Sequence, residues 1–310
     1  MTVVELAEYG MFEYEKRLAA REFEALTSTA DSVHADVEEL VRGRSTYFRT
    51  VSDIPTAQAL TEMVHHSERG SRPSRQATRY LVHGLHEYKG KFNPQTARAL
   101  INTIDPKATA LMDPYCGSGT TLIEAMRLGL AATGIDQNPL AAWISRIKVQ
   151  TLALSGQQDL IQRFDTLVQR LIDSVRAAQA AGCAVTPPDV DAGDDDYLRR
   201  WFPEPVLAAL WEGIRLCRDT ADSVADIAML CISNIVREVS WQLPEDLRVR
   251  RRPSGWVPPS VDELLDRTLR RARRALIEIA HAPTLAGVPT AAVHRGSSRD
   301  AAMVERAWPE

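Results

Sequence analysis

The chain has 310 residues, of which 45% are hydrophobic and 25% charged, and a formal net charge of -4. This is the composition of a globular protein long enough for one elaborated domain or two ordinary ones, and no apolar run suffices for a bilayer-spanning helix. A globally basic nucleic-acid binder is excluded, so charge has to be read locally.

Glu5, Glu8, Glu13 and Glu15 stand where a secretory leader needs a basic start and an apolar core, and a cytoplasmic location is expected. Cys116, Cys183, Cys217 and Cys231 have no Cys-x-x-Cys spacing. This argues against a zinc site or a disulfide framework and predicts buried thiols.

Residues 1–80 read as a helical N-terminal arm, because Val3 to about Thr27 is rich in Glu, Leu, Ala and Arg with helix-like apolar spacing. The polar run from Ser67 to Gln76 reads as an exposed connection. Residues 81–156 read as an α/β core. Within it, helices are expected at Thr96 to Ile104 and Thr120 to Leu130, the latter with Leu122, Ala125 and Met126 on one face. Strands are expected at Ala108 to Met112 and Ala131 to Ile135. Gly129 suits a helix C-cap, and Asn138-Pro139 marks the turn after the second strand.

Residues 157–282 read as a large helical insertion, open to DNA or partner contact, with turns at Thr186-Pro187-Pro188, Pro203, Pro244 and Pro258-Pro259. Residues 283–310 read as a return to the core, through a strand at Thr290 to His294 that leads into Gly296 to Asp300. The expected fold class is α/β, with part of a doubly wound sheet.

The stretch Asp113-Pro114-Tyr115-Cys116-Gly117-Ser118-Gly119-Thr120-Thr121 lies between a predicted strand and a predicted helix. Glycines at such a turn let the backbone approach a ligand, and the helix N-terminus offers free N–H groups to an anion. Asp136, at the end of the next strand, suits two ribose hydroxyls, and together these features describe a nucleoside cofactor. The spacing departs from the dinucleotide fingerprint and lacks a P-loop lysine, which disfavours NAD and ATP.

The motif resembles D-P-F-x-G-S-G-T-T of the S-adenosylmethionine-dependent amino (N4-cytosine/N6-adenine) DNA methyltransferases. The resemblance implies a Rossmann-like class I methyltransferase sheet with S-adenosylmethionine as cofactor. Asp113, Pro114, Cys116, Gly117, Ser118, Gly119, Thr120 and Thr121 would form the turn around its methionine part, and Asp136, followed by Asn138, would hold the ribose. The run His86 to Gln95 resembles the K-F-x-P element of that family, so Lys91, Phe92 and Pro94 would pack on the methionine end. Gly296-Ser297-Ser298-Arg299 resembles its G-D-A-R stretch, with Ser297 in place of the acidic residue that meets the adenine. No role is assigned to His86, and no catalytic residue is assigned.

Methylation of an exocyclic amine needs acceptors for its hydrogens and an aromatic platform for a flipped base, which the family supplies as (Asp/Asn/Ser)-Pro-Pro-(Tyr/Phe). Here only Thr186-Pro187-Pro188-Asp189 and Val257-Pro258-Pro259-Ser260 occur, both without the aromatic residue. The family order puts that loop after Gly296 to Arg299, and the sequence reaches Glu310 before it. The resemblance therefore implies the cofactor-binding subunit of a split enzyme acting on double-stranded DNA, with a second methyltransferase subunit carrying the loop, in restriction-modification or phage defence. A truncated sequence carries the same signature. An RNA guanine-amine methyltransferase part and a non-catalytic subunit that senses S-adenosylmethionine or presents DNA are the alternatives.

Arg248, Arg250, Arg251 and Arg252 precede a second series, Arg267, Arg270, Arg271, Arg273 and Arg274. The second series alternates with Leu264, Leu265, Leu269, Ala272 and Leu276, the pattern of a charged solvent face over an apolar stripe, with phosphate contact as the alternative. Trp241 and Trp256 would either stack on nucleotides or pack in a core or partner interface.

Overall fold

The computed structural model describes residues 2–30, 36–67, 76–243, 249–253, 255–282 and 289–308. Pro244, Arg248 and most of the polar connection after Ser67 lie outside these residues. The order of elements is β1 (Val4–Leu6), α1 (Glu13–Ala30), α2 (Val37–Arg44), β2 (Phe48–Val51), β3 (Ile54–Pro55), α3 (Ala57–Ser67), a 3-10 turn (Leu81–Gly84), α4 (Pro94–Ile104), β4 (Ala110–Asp113), α5 (Thr120–Arg127), β5 (Ala131–Asp136) and α6 (Pro139–Ala153). Then come α7 (Leu160–Ala181), α8 (Ala192–Trp201), α9 (Glu204–Asp219), α10 (Ser223–Val239), α11 (Val261–His281), β6 (Ala291–Arg295) and α12 (Ala301–Ala307).

The chain divides into two compact units. One comprises Met1–Gly84, Tyr88–Gln157 and Ala275–Glu310, and the other Leu85–Glu87 and Gln158–Arg274. In the first, β4, β5 and β6 form a parallel sheet in the order β4-β5-β6. The central strand β5 matches Ala110 to Ala131 on one side and Asp136 to Arg295 on the other. This is the partial Rossmann-like sheet of an α/β fold. Local signals place its helices: Asn93 caps α4 by accepting from the Gln95 N–H at 2.9 Å, ahead of Pro94 in the first turn. Asn138 and Pro139 start α6 in the same way, with Leu140 N–H donating to Asn138 Oδ1 at 2.9 Å. Gly129, at φ +79°, ends α5 with the Leu130 N–H on the Ala125 carbonyl at 2.9 Å.

The N-terminal arm differs from uniform helix. Val4–Leu6 is a strand paired antiparallel with β2, and the helix starts only at Glu13. Strand pairing across two intervening helices leaves no helical or alternating signature in three residues. Glu22 of α1 is fully buried, takes the Thr46 N–H at 3.0 Å and Thr46 Oγ1 at 2.6 Å, and is met by Asn102 Nδ2 at 2.7 Å. Burial raises its pKa against those hydrogen bonds.

Among its described residues the second unit is helical. Leu160, Phe164, Leu167 and Leu171 of α7 are buried at helical spacing, as are Val206, Leu210 and Cys217 of α9 and Ile227, Cys231 and Ile235 of α10. Cys116, Cys217 and Cys231 are buried as expected, whereas Cys183 is exposed at the end of α7, where its helix stops at Gly182.

Candidate cofactor site

The parallel register brings the ends of β4 and β5 side by side, Asp113 opposite Gly134. The chain leaving Asp113 turns tightly. Tyr115 N–H donates to Asp113 Oδ1 at 3.0 Å, Cys116 N–H to the Ile135 carbonyl at 3.0 Å, and Gly119 N–H to the Cys116 carbonyl at 2.8 Å. Gly117 and Gly119 have φ +51° and +82°, which a side chain tolerates poorly. A Cβ on Gly119 would lie 2.5 Å from Ser145 Oγ of α6, and one on Gly134 would lie 2.8 Å from Cys116 Cβ. The turn thus sits against α6 and β5 because glycine occupies both contact points.

Asp136 ties the two halves together. Its Oδ2 accepts the Gly117 N–H at 2.8 Å and its Oδ1 the Asn138 N–H at 2.8 Å. Each carboxylate oxygen retains acceptor capacity for a ligand hydroxyl. On the far side, Gly296 N–H donates to the Asp136 carbonyl at 3.0 Å, which sets Ser297 directly after the junction of β5 and β6. Ser297 Oγ accepts from the Arg299 N–H at 3.3 Å.

The first turn of α5 follows Gly119 without a side-chain cap, so its leading N–H groups face out of the helix end. Ser118 is buried, and its Oγ has no hydrogen-bond partner among the described residues; Thr120 is buried beside it. Cys116 is buried as well, and burial, then the charge of Asp113, push its thiol up to about 12, which makes it packing rather than a nucleophile. These residues fit a nucleoside cofactor: a turn held close by glycine, an orphan buried hydroxyl, helix-end donors and a carboxylate at the next strand end.

The other residues singled out in the sequence have different surroundings. The Lys91 ammonium donates to the Thr78 carbonyl at 2.7 Å and the His83 carbonyl at 3.0 Å, fastening its segment to the 3-10 turn. Pro94 is buried in the first turn of α4. Phe92 is half exposed and lines a surface pocket with Thr121, Ile104 and Leu111, on the β4 edge of the sheet. Asn138 serves as a helix cap, and Pro114 carries the chain to Tyr115, which is 75% exposed.

Tyr88 was not assigned from sequence. Its Cε1 lies 3.8 Å from the position a Gly117 Cβ would take, so its ring covers the glycine turn. Burial raises the phenol pKa, and the nearby charge of Asp136 raises it further. The only sequence signal was its place in the His86 to Gln95 run.

A parallel sheet with a glycine turn after one strand and an acidic residue closing the next defines a Rossmann-like α/β domain. Residues 41–145 match a family model described as DNA methylase. The chain is similar to the type II methyltransferase M.MjaII of Methanocaldococcus jannaschii, 41% identical over 69 residues that make up 22% of this chain and 13% of that protein. It is also similar to the type II methyltransferase M.MvaI of Kocuria varians, 27% identical over 202 residues that make up 62% of this chain and 43% of that protein. The chain thus spans less than half the length of either relative. No solved structure matches. The segment that carries the site is thus similar to DNA methylases over residues 41–145.

Proposed function

We propose that the chain binds S-adenosylmethionine and serves as the cofactor-binding subunit of a DNA methyltransferase that modifies an exocyclic amino group of adenine or cytosine. The observation that carries this reading is the Asp136 carboxylate, clamped between the N–H groups of Gly117 and Asn138 at the end of β5. In that position it accepts the ribose hydroxyls, while Ser118 Oγ and the N-terminus of α5 meet the methionine carboxylate and Tyr88 closes over the turn. Ser297, directly after β6, frames the remainder. The cofactor supplies the electrophilic methyl group; the residues of this chain orient it and keep it in place.

The amine-holding loop comes, in this reading, from a second methyltransferase subunit with the Pro-Pro-aromatic sequence. Support comes from the surroundings of the two Pro-Pro pairs of this chain. Pro187-Pro188 lies between α7 and α8, and Pro258-Pro259 just ahead of α11, and neither follows a strand or carries the aromatic residue. The similarity to two type II methyltransferases favours a restriction-modification setting.

Calorimetric titration of the full chain with S-adenosylmethionine tests the reading. Saturable binding is expected, and Asp136→Ala should weaken it by about 10- to 100-fold, the range of one or two hydrogen bonds to a charged acceptor. Binding unchanged in the variant, or absent from the wild-type chain both alone and with its partner, overturns it.

A further inference from the structure

Three of the five arginines of α11 already hold carboxylates. On α11, Arg267 holds Glu238 at 2.9 Å, Arg270 holds Asp266 at 2.7 Å, and Arg273 holds both oxygens of Asp165, the nearer at 2.8 Å. For a phosphate, each of these three would first have to give up a carboxylate.

The segment from Trp241 to Trp256 is built differently. Its ends are joined as a narrow hairpin: Arg252 N–H donates to the Trp241 carbonyl at 2.7 Å, Leu243 N–H to the Arg250 carbonyl at 2.8 Å, and Gln242 and Arg251 form an antiparallel bridge. Trp241 N–H donates to the Trp201 carbonyl at 2.8 Å, which anchors the hairpin to the end of α8. Arg252 lies 3.9 Å over the ring of Trp256 and gives its N–H groups to the carbonyls of Ser240, Gln242 and Glu238. Arg251 lies 5.6 Å over Trp241, is exposed, and gives one N–H to the Arg200 carbonyl at 2.8 Å.

Neither guanidinium holds a carboxylate among the described residues. Carbonyls and indole faces orient them, and one of the five donors of Arg251 is taken by an acceptor among the described residues, the Arg200 carbonyl. An exposed planar fork held by an aromatic ring matches a phosphodiester oxygen pair and needs little ordering on contact.

We propose that this tryptophan–arginine hairpin, centred on Arg251, is a contact surface for the phosphate backbone of double-stranded DNA, and that the ion-paired arginines of α11 are not. The choice of DNA rests on the methyltransferase reading; the assignment of the surface rests on the hairpin itself.

The experiment is fluorescence anisotropy of the full chain with a short labelled duplex of arbitrary sequence, repeated over a series of salt concentrations. Each phosphate contact contributes about -0.9 to the slope of log affinity against log salt. Arg251→Gln should reduce the slope by about one contact, Arg251→Lys should restore most of it, and Arg270→Gln should leave it unchanged. An unchanged slope in Arg251→Gln, an equal loss in Arg270→Gln, or no salt-dependent duplex affinity in the wild-type chain overturns the proposal. Titration of the same samples with S-adenosylmethionine separates the two readings. Cofactor binding without an Arg251 effect sinks the surface alone, and an Arg251 effect without cofactor binding sinks the methyltransferase reading alone.

Discussion

The two ends of α5 carry polar groups for opposite purposes. At the N-terminal end, Gly119 offers no side-chain cap, and Ser118 Oγ has no partner among the described residues. At the C-terminal end everything charged is matched. Glu124 is fully buried and is met by Arg127 Nη1 at 2.8 Å, His83 Nε2 at 2.8 Å, Tyr80 Oη at 3.0 Å and Arg98 Nη1 at 3.5 Å. Arg127 reaches on to Thr61 Oγ1 at 3.1 Å, and Arg98 to the carbonyls of Gly43 and Arg44 at 3.0 Å. One end leaves hydrogen-bonding capacity for a guest, and the other spends it on holding α3, α4, α5 and the 3-10 turn together. Partners within the chain separate a structural polar group from a binding one more reliably than residue type does.

The largest expected effect tests the structural end. Glu124→Ala strands two buried guanidinium groups and should cost about 3–5 kcal/mol, read as a lower urea midpoint. Burial by itself would raise the Glu124 pKa, but Arg127, His83 and Arg98 outweigh it and hold the carboxyl well below its ordinary 4.5. Burial also pushes the His83 imidazole down to about 3, so it is neutral near pH 7 and its Nε2 is the nitrogen that donates to Glu124. Because the folded-state pKa of Glu124 is depressed, its contribution is complete above pH 4.5 and is lost as the pH falls through the folded value. The difference between wild type and Glu124→Ala should therefore shrink in acid. A midpoint difference that stays constant from neutral pH to strongly acidic conditions would contradict the network.

A smaller pair of effects compares the two glycines that bound α5. Gly119 and Gly129 have nearly equal positive φ, +82° and +79°, but only Gly119 has a neighbour where a Cβ would go. Gly129→Ala should cost about 1 kcal/mol from backbone strain alone and leave S-adenosylmethionine affinity unchanged. Gly119→Ala adds displacement of Ser145, should cost about 2–3 kcal/mol, and should weaken cofactor binding along with stability. Equal thermal shifts and equal cofactor affinities in the two variants would remove the distinction drawn between the ends of this helix.

Much of the site could be read directly because its determinants are local. The strand–turn–helix–strand order from Ala110 to Asp136, the cap at Asn138, the helix stop at Gly129 and the glycine turn each depend on residues a few positions apart. Their chemistry is visible in a short window. Lys91 shows the limit of that approach. Its place in a motif drew attention to it, but the acceptors it uses, Thr78 and His83, were not part of the motif. Tyr88 shows the converse, since nothing local marks a ring that comes to rest over Gly117.

Sequence by itself determined the class of the core, the helical character of the long insertion and the residues of the glycine turn, because backbone conformation, capping and apolar periodicity are short-range properties. Only the tertiary structure decided which strand β6 pairs with, that Val4–Leu6 is a strand, and which arginines of α11 hold carboxylates. The physical reason is common to all three. A strand pairing or an ion pair between distant residues is set by the summed packing of everything between them, and no window of sequence contains that sum.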